Sequence, residues 1–228
     1  LTAGLHAMAP DRFGRYAAEA AAADAFRRRY GTFRRLVQDN ADSICVVGNA
    51  PCEIGRGQGA FIDSHALVLR FNNYAPDPKH WPDYGRKTDI WIRSGDYRDV
   101  WRRAEERYAH VVVNDDLYWR AINGQNMLMD SALFGQPIED VPRRILSDLT
   151  GRLGAKPSTG IVTLTWLMRI LGTLDKVSIF GFTMSDQTEG PRHNGTDERI
   201  SRQQHAWLAE REIFDEMLTA GTGGADPP

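Results

Sequence analysis

Ser43-Ile44-Cys45-Val46-Val47-Gly48 runs into Asn49 and Ala50, and this stretch decides the fold. It is apolar, rich in β-branched residues, too short for a helix, and broken by a glycine. That pattern predicts a strand buried on both faces which opens into a loop.

The same signature returns along the chain at Ala66–Phe71, Asp89–Ile92, Val111–Val113 and Val177–Phe182. Helical patterns lie between these runs. Residues 12–38 are Ala-rich and place Phe33, Leu36 and Val37 at helical spacing. Residues 97–108 put Val100, Trp101 and Ala104 on one side. Ser158 and Thr159 are good caps for an apolar helix over Ile161–Leu171 that stops at Gly172. A last helix is expected from Glu198 to Leu218. The segment 117–156 mixes Trp119, Met127, Met129 and Phe134 with Gly and Pro, and reads as loops and short helices, a candidate lid. Residues 183–199 read as a polar loop.

Short apolar strands alternating with helices predict one α/β domain, Rossmann-like, with a mostly parallel central sheet flanked by helices. Ligands in such folds bind beyond the carboxyl ends of the strands. The loops after Val47, Val113 and Phe180 are therefore the functional edge.

Bulk properties narrow the function. The 228 residues carry a formal charge of −2, so no global field favours nucleic acid or a membrane surface. No apolar run reaches the 18 or so residues of a transmembrane helix, and Leu1–Pro10 lacks the features of a signal peptide. The two cysteines, Cys45 and Cys52, have no metal-ligand spacing and favour free thiols in a reducing compartment.

Five motifs stand out, each with two readings. Gly48-Asn49-Ala50, followed by Gly55, Gly57 and Gly59, either lets backbone amides approach a phosphate or sugar or is a turn. It is not the dinucleotide fingerprint, which argues against a nicotinamide- or methyl-donor-binding domain. The strand carrying Arg70 ends in Asn72-Asn73, suited to a pyrimidine edge or ribose, or to an Asn-rich turn. Pro157-Ser158-Thr159-Gly160 opens a helix, whose N-terminus favours anions and whose serine is equally a cap. His193 and His205 are acid/base candidates, with Glu210 five residues beyond His205. On a straight helix that spacing is about 140° apart, so the pair would not meet. Asn114-Asp115-Asp116 places two carboxylates side by side rather than one residue apart, which reads as a solvated loop and not a metal site.

Taken in order, these segments resemble the sialyltransferases of glycosyltransferase family 29. The family's large motif is matched from Ile44 to about Ala75, through Val46-Val47-Gly48-Asn49, Ile62-Asp63-Ser64-His65 and Val68-Leu69-Arg70-Phe71-Asn72. The small motif is matched at Pro157–Gly160, Asp175-Lys176-Val177 and Phe180-Gly181-Phe182. The very short motif, a His and a Glu separated by four residues, is matched at His205 and Glu210. Of the third motif, only His193 is similar.

The resemblance implies a Rossmann-like, GT-A-variant domain over 42–220, with an N-terminal helical extension over 1–41 and a disordered tail over 221–228. It implies inverting transfer of a sialic acid from a CMP-activated donor to a glycan or lipid-linked glycan hydroxyl, with no metal and no other cofactor. Gly48, Asn49, Ala50 and Asn72, then Ser158, Thr159 and Gly160, then Gly181, Phe182 and Thr183, would hold the CMP donor. His205 would be the base, assisted by Glu210, and His193 would bond the leaving phosphate.

Animal members join the large and small motifs by a disulfide. Here Ile44 stands at the first cysteine position, with Cys45 displaced by one, and Leu174 stands at the second. The expectation is a bacterial-type, cytoplasmic enzyme of polysaccharide biosynthesis, with the sequon Asn194-Gly195-Thr196 unused. Two alternatives stay open: a CMP-Kdo-dependent transferase on the same scaffold, and a catalytically inactive CMP-binding module of a larger polysaccharide-synthesis protein.

Overall fold

The structure, a computed structural model, describes residues 32–72, 74, 78–94, 106–114, 137–183 and 205–220. Six parallel strands form one sheet: β1 (Ile44–Val47), β2 (Leu67–Phe71), β3 (Ile90–Ser94), β4 (His110–Asn114), β5 (Ile138–Asp140) and β6 (Val177–Phe180). Their spatial order is β5-β4-β3-β2-β1-β6. The chain thus steps outward from β1 to β5 and returns to place β6 on β1's other side, with Ile44 opposite both Leu67 and Val177. The switch point of this parallel sheet lies between β1 and β6.

Both faces of the sheet are covered, which is why the strands read as continuous apolar runs. Ile44, Val46, Leu69, Phe71, Ile92 and Val112 face one core with α1 (Thr32–Asp39), α4 (Arg143–Leu153), α5 (Thr159–Leu171) and α6 (Trp207–Ala220). Cys45, Val47 and Val68 face the other core, under α2 (Gly59–Asp63) and α3 (Trp81–Tyr84). Arg70 also points that way. It is 3% exposed, and its guanidinium donates to the carbonyls of Lys87 and Tyr84 at 2.8 and 2.5 Å. A buried charge needs such partners.

The mostly parallel sheet flanked by helices is as expected, with differences at three places. The segment 117–156 contains a sixth strand, β5, and an eleven-residue helix, α4. Strand β5 is short and acidic, and it is held by tertiary bonds: Glu139 accepts the backbone N–H of Phe33 at 3.2 Å. Glu106–Tyr108 is not helical. Tyr74 donates to Glu106 at 2.7 Å and Tyr108 stacks obliquely on Trp91, so side-chain contacts anchor this stretch before β4. Strand β6 ends at Phe180, because Gly181 turns to a left-handed φ of 70°.

Helix α1 buries Phe33 and Val37 completely, with Phe33 4.2 Å from Trp166 of α5. Beside it, burial pushes the His110 imidazole down to about 4, so it stays neutral where Thr32 meets its Nδ1 at 3.1 Å. Cys45 is buried, Cys52 half-buried, and both are free thiols. No described helix is long and apolar enough to cross a membrane.

Candidate active site

The carboxyl edge of the sheet is sewn together at the switch point. Gly48 donates its N–H to Phe180 at 2.7 Å, and Ala50 donates to Gly181 at 3.0 Å. The two glycines are required by this approach. A Cβ on Gly48 would sit 2.2 Å from the Gly181 carbonyl oxygen, and one on Gly181 would sit 2.4 Å from that of Gly48. Backbone contact, as well as any ligand, thus accounts for the glycines read from the sequence.

From this seam the predicted residues connect in a chain of contacts. Asn49 donates its side-chain amide to the carbonyl of Phe71 at 3.1 Å, which brings it beside Asn72 on the neighbouring strand end. Asn72 is left-handed, with φ 49°. Its Oδ1 accepts the N–H of Ser94 at 2.6 Å, so its side chain caps the end of β3, and its amide nitrogen has no acceptor among the described residues. The ring of Phe71 meets that of Phe182 edge-on at 5.9 Å, and Phe182 stacks with Phe214 at 6.4 Å. Phe182 also explains Gly160, where a Cβ would fall 2.6 Å from the ring. The Phe182 ring is therefore packed between sheet and helices. Thr183 is exposed at the end of this described segment.

Helix α5 begins as predicted. Ser158 is its N-cap, and its hydroxyl accepts the Ile161 N–H at 3.3 Å. Of the other amides at this end, Ser158 donates to Glu210 at 2.7 Å and Val162 to the Ser158 carbonyl at 3.2 Å. Among the described residues the N–H groups of Thr159 and Gly160 have no acceptor, and they lie at the positive end of the helix dipole.

Glu210 is fully buried, and it takes both donors of Ser158, with the hydroxyl at 2.5 Å. Burial raises its carboxyl above the ordinary range, while the Ser158 bonds and the His205 ring pull it back. His205 Nδ1 lies 2.9 Å from the Lys156 carbonyl and 3.9 Å from Glu210 Oε1. On a straight helix His205 and Glu210 would not meet, but they are not on one helix. Helix α6 starts at Trp207, so His205 stands before it, and the angle of a straight helix does not apply.

His193 lies outside the described residues, as do Asp115 and Asp116. Among the described residues no cluster of His, Cys, Asp or Glu could hold a metal ion. Sequence reasoning missed the residues that fix the site from behind: Lys156, Ser94, Tyr84 and Glu53. Only Glu53 left a signal, as the one acid in residues 43–62.

No family model and no curated protein matches the chain. Among solved structures it is similar to a mammalian sialyltransferase, at 16% identity and a TM-score of 0.55, covering 83% of this chain and 75% of that one. A mammalian sialyltransferase in complex with Gal-beta-1-3GalNAc-ortho-nitrophenol gives the same identity and coverage with a TM-score of 0.49. The first likeness shows the fold: this chain has the Rossmann-like, GT-A-type architecture found in a sialyltransferase.

Proposed function

We propose that the chain is an inverting glycosyltransferase that moves a sialic acid, or a related ulosonic acid, from a CMP-activated donor to a glycan hydroxyl. The observation that supports this reading is that one buried carboxyl contacts both the proposed base and the helix end proposed to bind the donor phosphate. Glu210 holds Ser158, at the mouth of α5, and lies 3.9 Å from His205.

The mechanism follows from those positions. The acceptor hydroxyl gives its proton to Nε2 of His205, and its oxygen forms a bond to the anomeric carbon. The bond from that carbon to the CMP phosphate oxygen breaks on the opposite face, which inverts the centre. The negative charge that develops on the phosphate meets the N–H groups of Thr159 and Gly160. Asn49 and Asn72 hold the CMP part, alongside Gly48, Ala50 and the Gly181–Thr183 turn. His193 assists the leaving phosphate, and no metal or other cofactor is required. Domain assignments follow the same reading: a catalytic domain over 42–220, preceded by a helical extension and acting in the cytoplasm.

Calorimetric titration with CMP, and with UMP, GMP and NAD as controls, tests the donor assignment. Selective CMP binding is expected, followed by turnover with CMP-sialic acid or CMP-Kdo. Preference for NAD or GMP would sink the reading. CMP binding without turnover of either donor would instead favour the inactive binding module.

A further inference from the structure

We infer that Glu53 is a positioning residue that locks the turn after β1 to the turn after β6 and so sets the shape of the donor site. Its consequence for ligand rests on the CMP reading above. Glu53 ends the short 3-10 turn Pro51–Glu53, just beyond Asn49 and Ala50, and is 8% exposed. Its Oε1 accepts the N–H of Gly181 at 3.1 Å and the thiol of Cys52 at 3.4 Å. Arg56 approaches Oε2 at 3.8 Å from a largely exposed position.

The direction of the bonds matters. Gly48 and Ala50 donate from the β1 turn to the β6 end. Glu53 supplies the reverse bond, accepting from the β6 turn. Without that carboxylate the buried Gly181 amide would have no acceptor, a state that costs more than a lost surface bond. On its other side the same turn is held by Tyr84. The Glu53 N–H donates to the Tyr84 hydroxyl at 3.1 Å, and that hydroxyl donates to the Ala50 carbonyl at 2.6 Å. Asn49 and Ala50 are thus clamped between α3 and the β6 turn, and the two loops flanking the switch point move as one body.

The test combines amide hydrogen exchange of the ligand-free chain with CMP calorimetry, on wild type, Glu53→Ala, Glu53→Gln and Tyr84→Phe. For Glu53→Ala, exchange in peptides spanning 48–57 and 177–183 should rise, and CMP affinity should fall, each by roughly tenfold or more. Glu53→Gln keeps an acceptor for Gly181 and should stay within about threefold of wild type in both readouts. Tyr84→Phe should loosen 50–53 and leave 177–183 protected. Unchanged exchange at 177–183 in Glu53→Ala overturns the latch, as does loosening with no change in CMP affinity. A Glu53→Gln variant as impaired as Glu53→Ala would show that charge, not the bond, is at work, and overturns it too. If Glu53→Ala does not fold, Glu53→Met, which fills the space without offering Gly181 a strong acceptor, takes its place under the same criteria. If wild type itself fails to bind CMP, the functional reading falls and the exchange data alone judge the latch.

Discussion

Nδ1 of His205 faces the backbone carbonyl of Lys156 at 2.9 Å. A carbonyl can only accept, so in the neutral imidazole the proton resides on Nδ1 and Nε2 keeps the lone pair. In the proposed mechanism this tautomer leaves Nε2 to take a proton from a sugar hydroxyl. Asparagine separates the two nitrogens' roles: its amide nitrogen can keep the bond to Lys156 but nothing replaces Nε2. His205→Asn should lower turnover by about 10²–10⁴-fold, with CMP affinity held within about threefold. Normal turnover in a steady-state assay would remove His205 from the mechanism.

Glu210 gives a pH signature. Its folded value lies above the ordinary 4.5 because burial outweighs its bonds to Ser158. The folded state then holds the proton more tightly than the unfolded state. The associated stability is complete below 4.5 and is lost as pH rises through the folded value. Urea titrations of wild type and Glu210→Gln between pH 7 and 4.5 should show the wild-type advantage growing as pH falls. The gain is about 1.4 kcal/mol for each pH unit by which the folded value exceeds the unfolded one. An advantage that shrinks toward low pH would mean that the Ser158 bonds win over burial.

The central strands were legible because they are buried on both faces, so that each is an apolar run whatever its partner. Strand β5 was not, because Glu139 and Asp140 carry no apolar signal and Glu139 is stabilised by Phe33, 106 residues away. Helix α5 announced itself through Ser158 and Gly172, whose cap roles are local chemistry. The start of α6 did not, and that error in the helix start separated His205 from Glu210. Residue types at the carboxyl edge of the sheet could be read, whereas the supports behind them, Lys156 and Tyr84, act through a carbonyl and a hydroxyl that only the fold brings into place.

Two glycines should respond in opposite directions to alanine. At Gly48 the new methyl meets the Gly181 carbonyl at 2.2 Å, and backbone cannot swing aside as a side chain does. Gly48→Ala should cost about 2–4 kcal/mol. Gly151 lies inside α4 with nothing within 4 Å of a Cβ. Gly151→Ala should stabilise by roughly 0.5–1 kcal/mol through helix propensity. Chemical denaturation reads both, and a neutral Gly48→Ala would contradict the close seam at the switch point.

The thiols should be slow nucleophiles. Burial, with the Glu53 carboxylate, pushes Cys52 up to about 11, and burial alone does most to push Cys45 up to about 12. Since the thiolate is the reactive form, Cys52 at pH 8 should react with a disulfide reagent roughly a hundredfold slower than a free thiol. Its rate should keep climbing beyond pH 10, and Cys45 should react only on unfolding. Rapid labelling of Cys52 at pH 8 would show that it does not sit against Glu53 as described.

Asn72 combines a backbone role with a ligand role, and three substitutions separate them. Its left-handed φ of 49° suits Asn or Gly, and its Oδ1 holds the Ser94 N–H at 2.6 Å. Asn72→Gly keeps the backbone easy but loses the side chain. Asn72→Asp keeps the acceptor for Ser94 while replacing the free amide donor with an acceptor. Asn72→Ala loses both the side chain and the conformational tolerance, and should be the least stable, by about 1–2 kcal/mol. If the amide nitrogen binds the CMP part of a donor, CMP affinity should fall about tenfold or more in all three, including the well-folded Asp variant. Calorimetry that finds CMP affinity intact in Asn72→Asp would leave Asn72 as a strand-end cap and move the donor contacts to Asn49 and the mouth of α5.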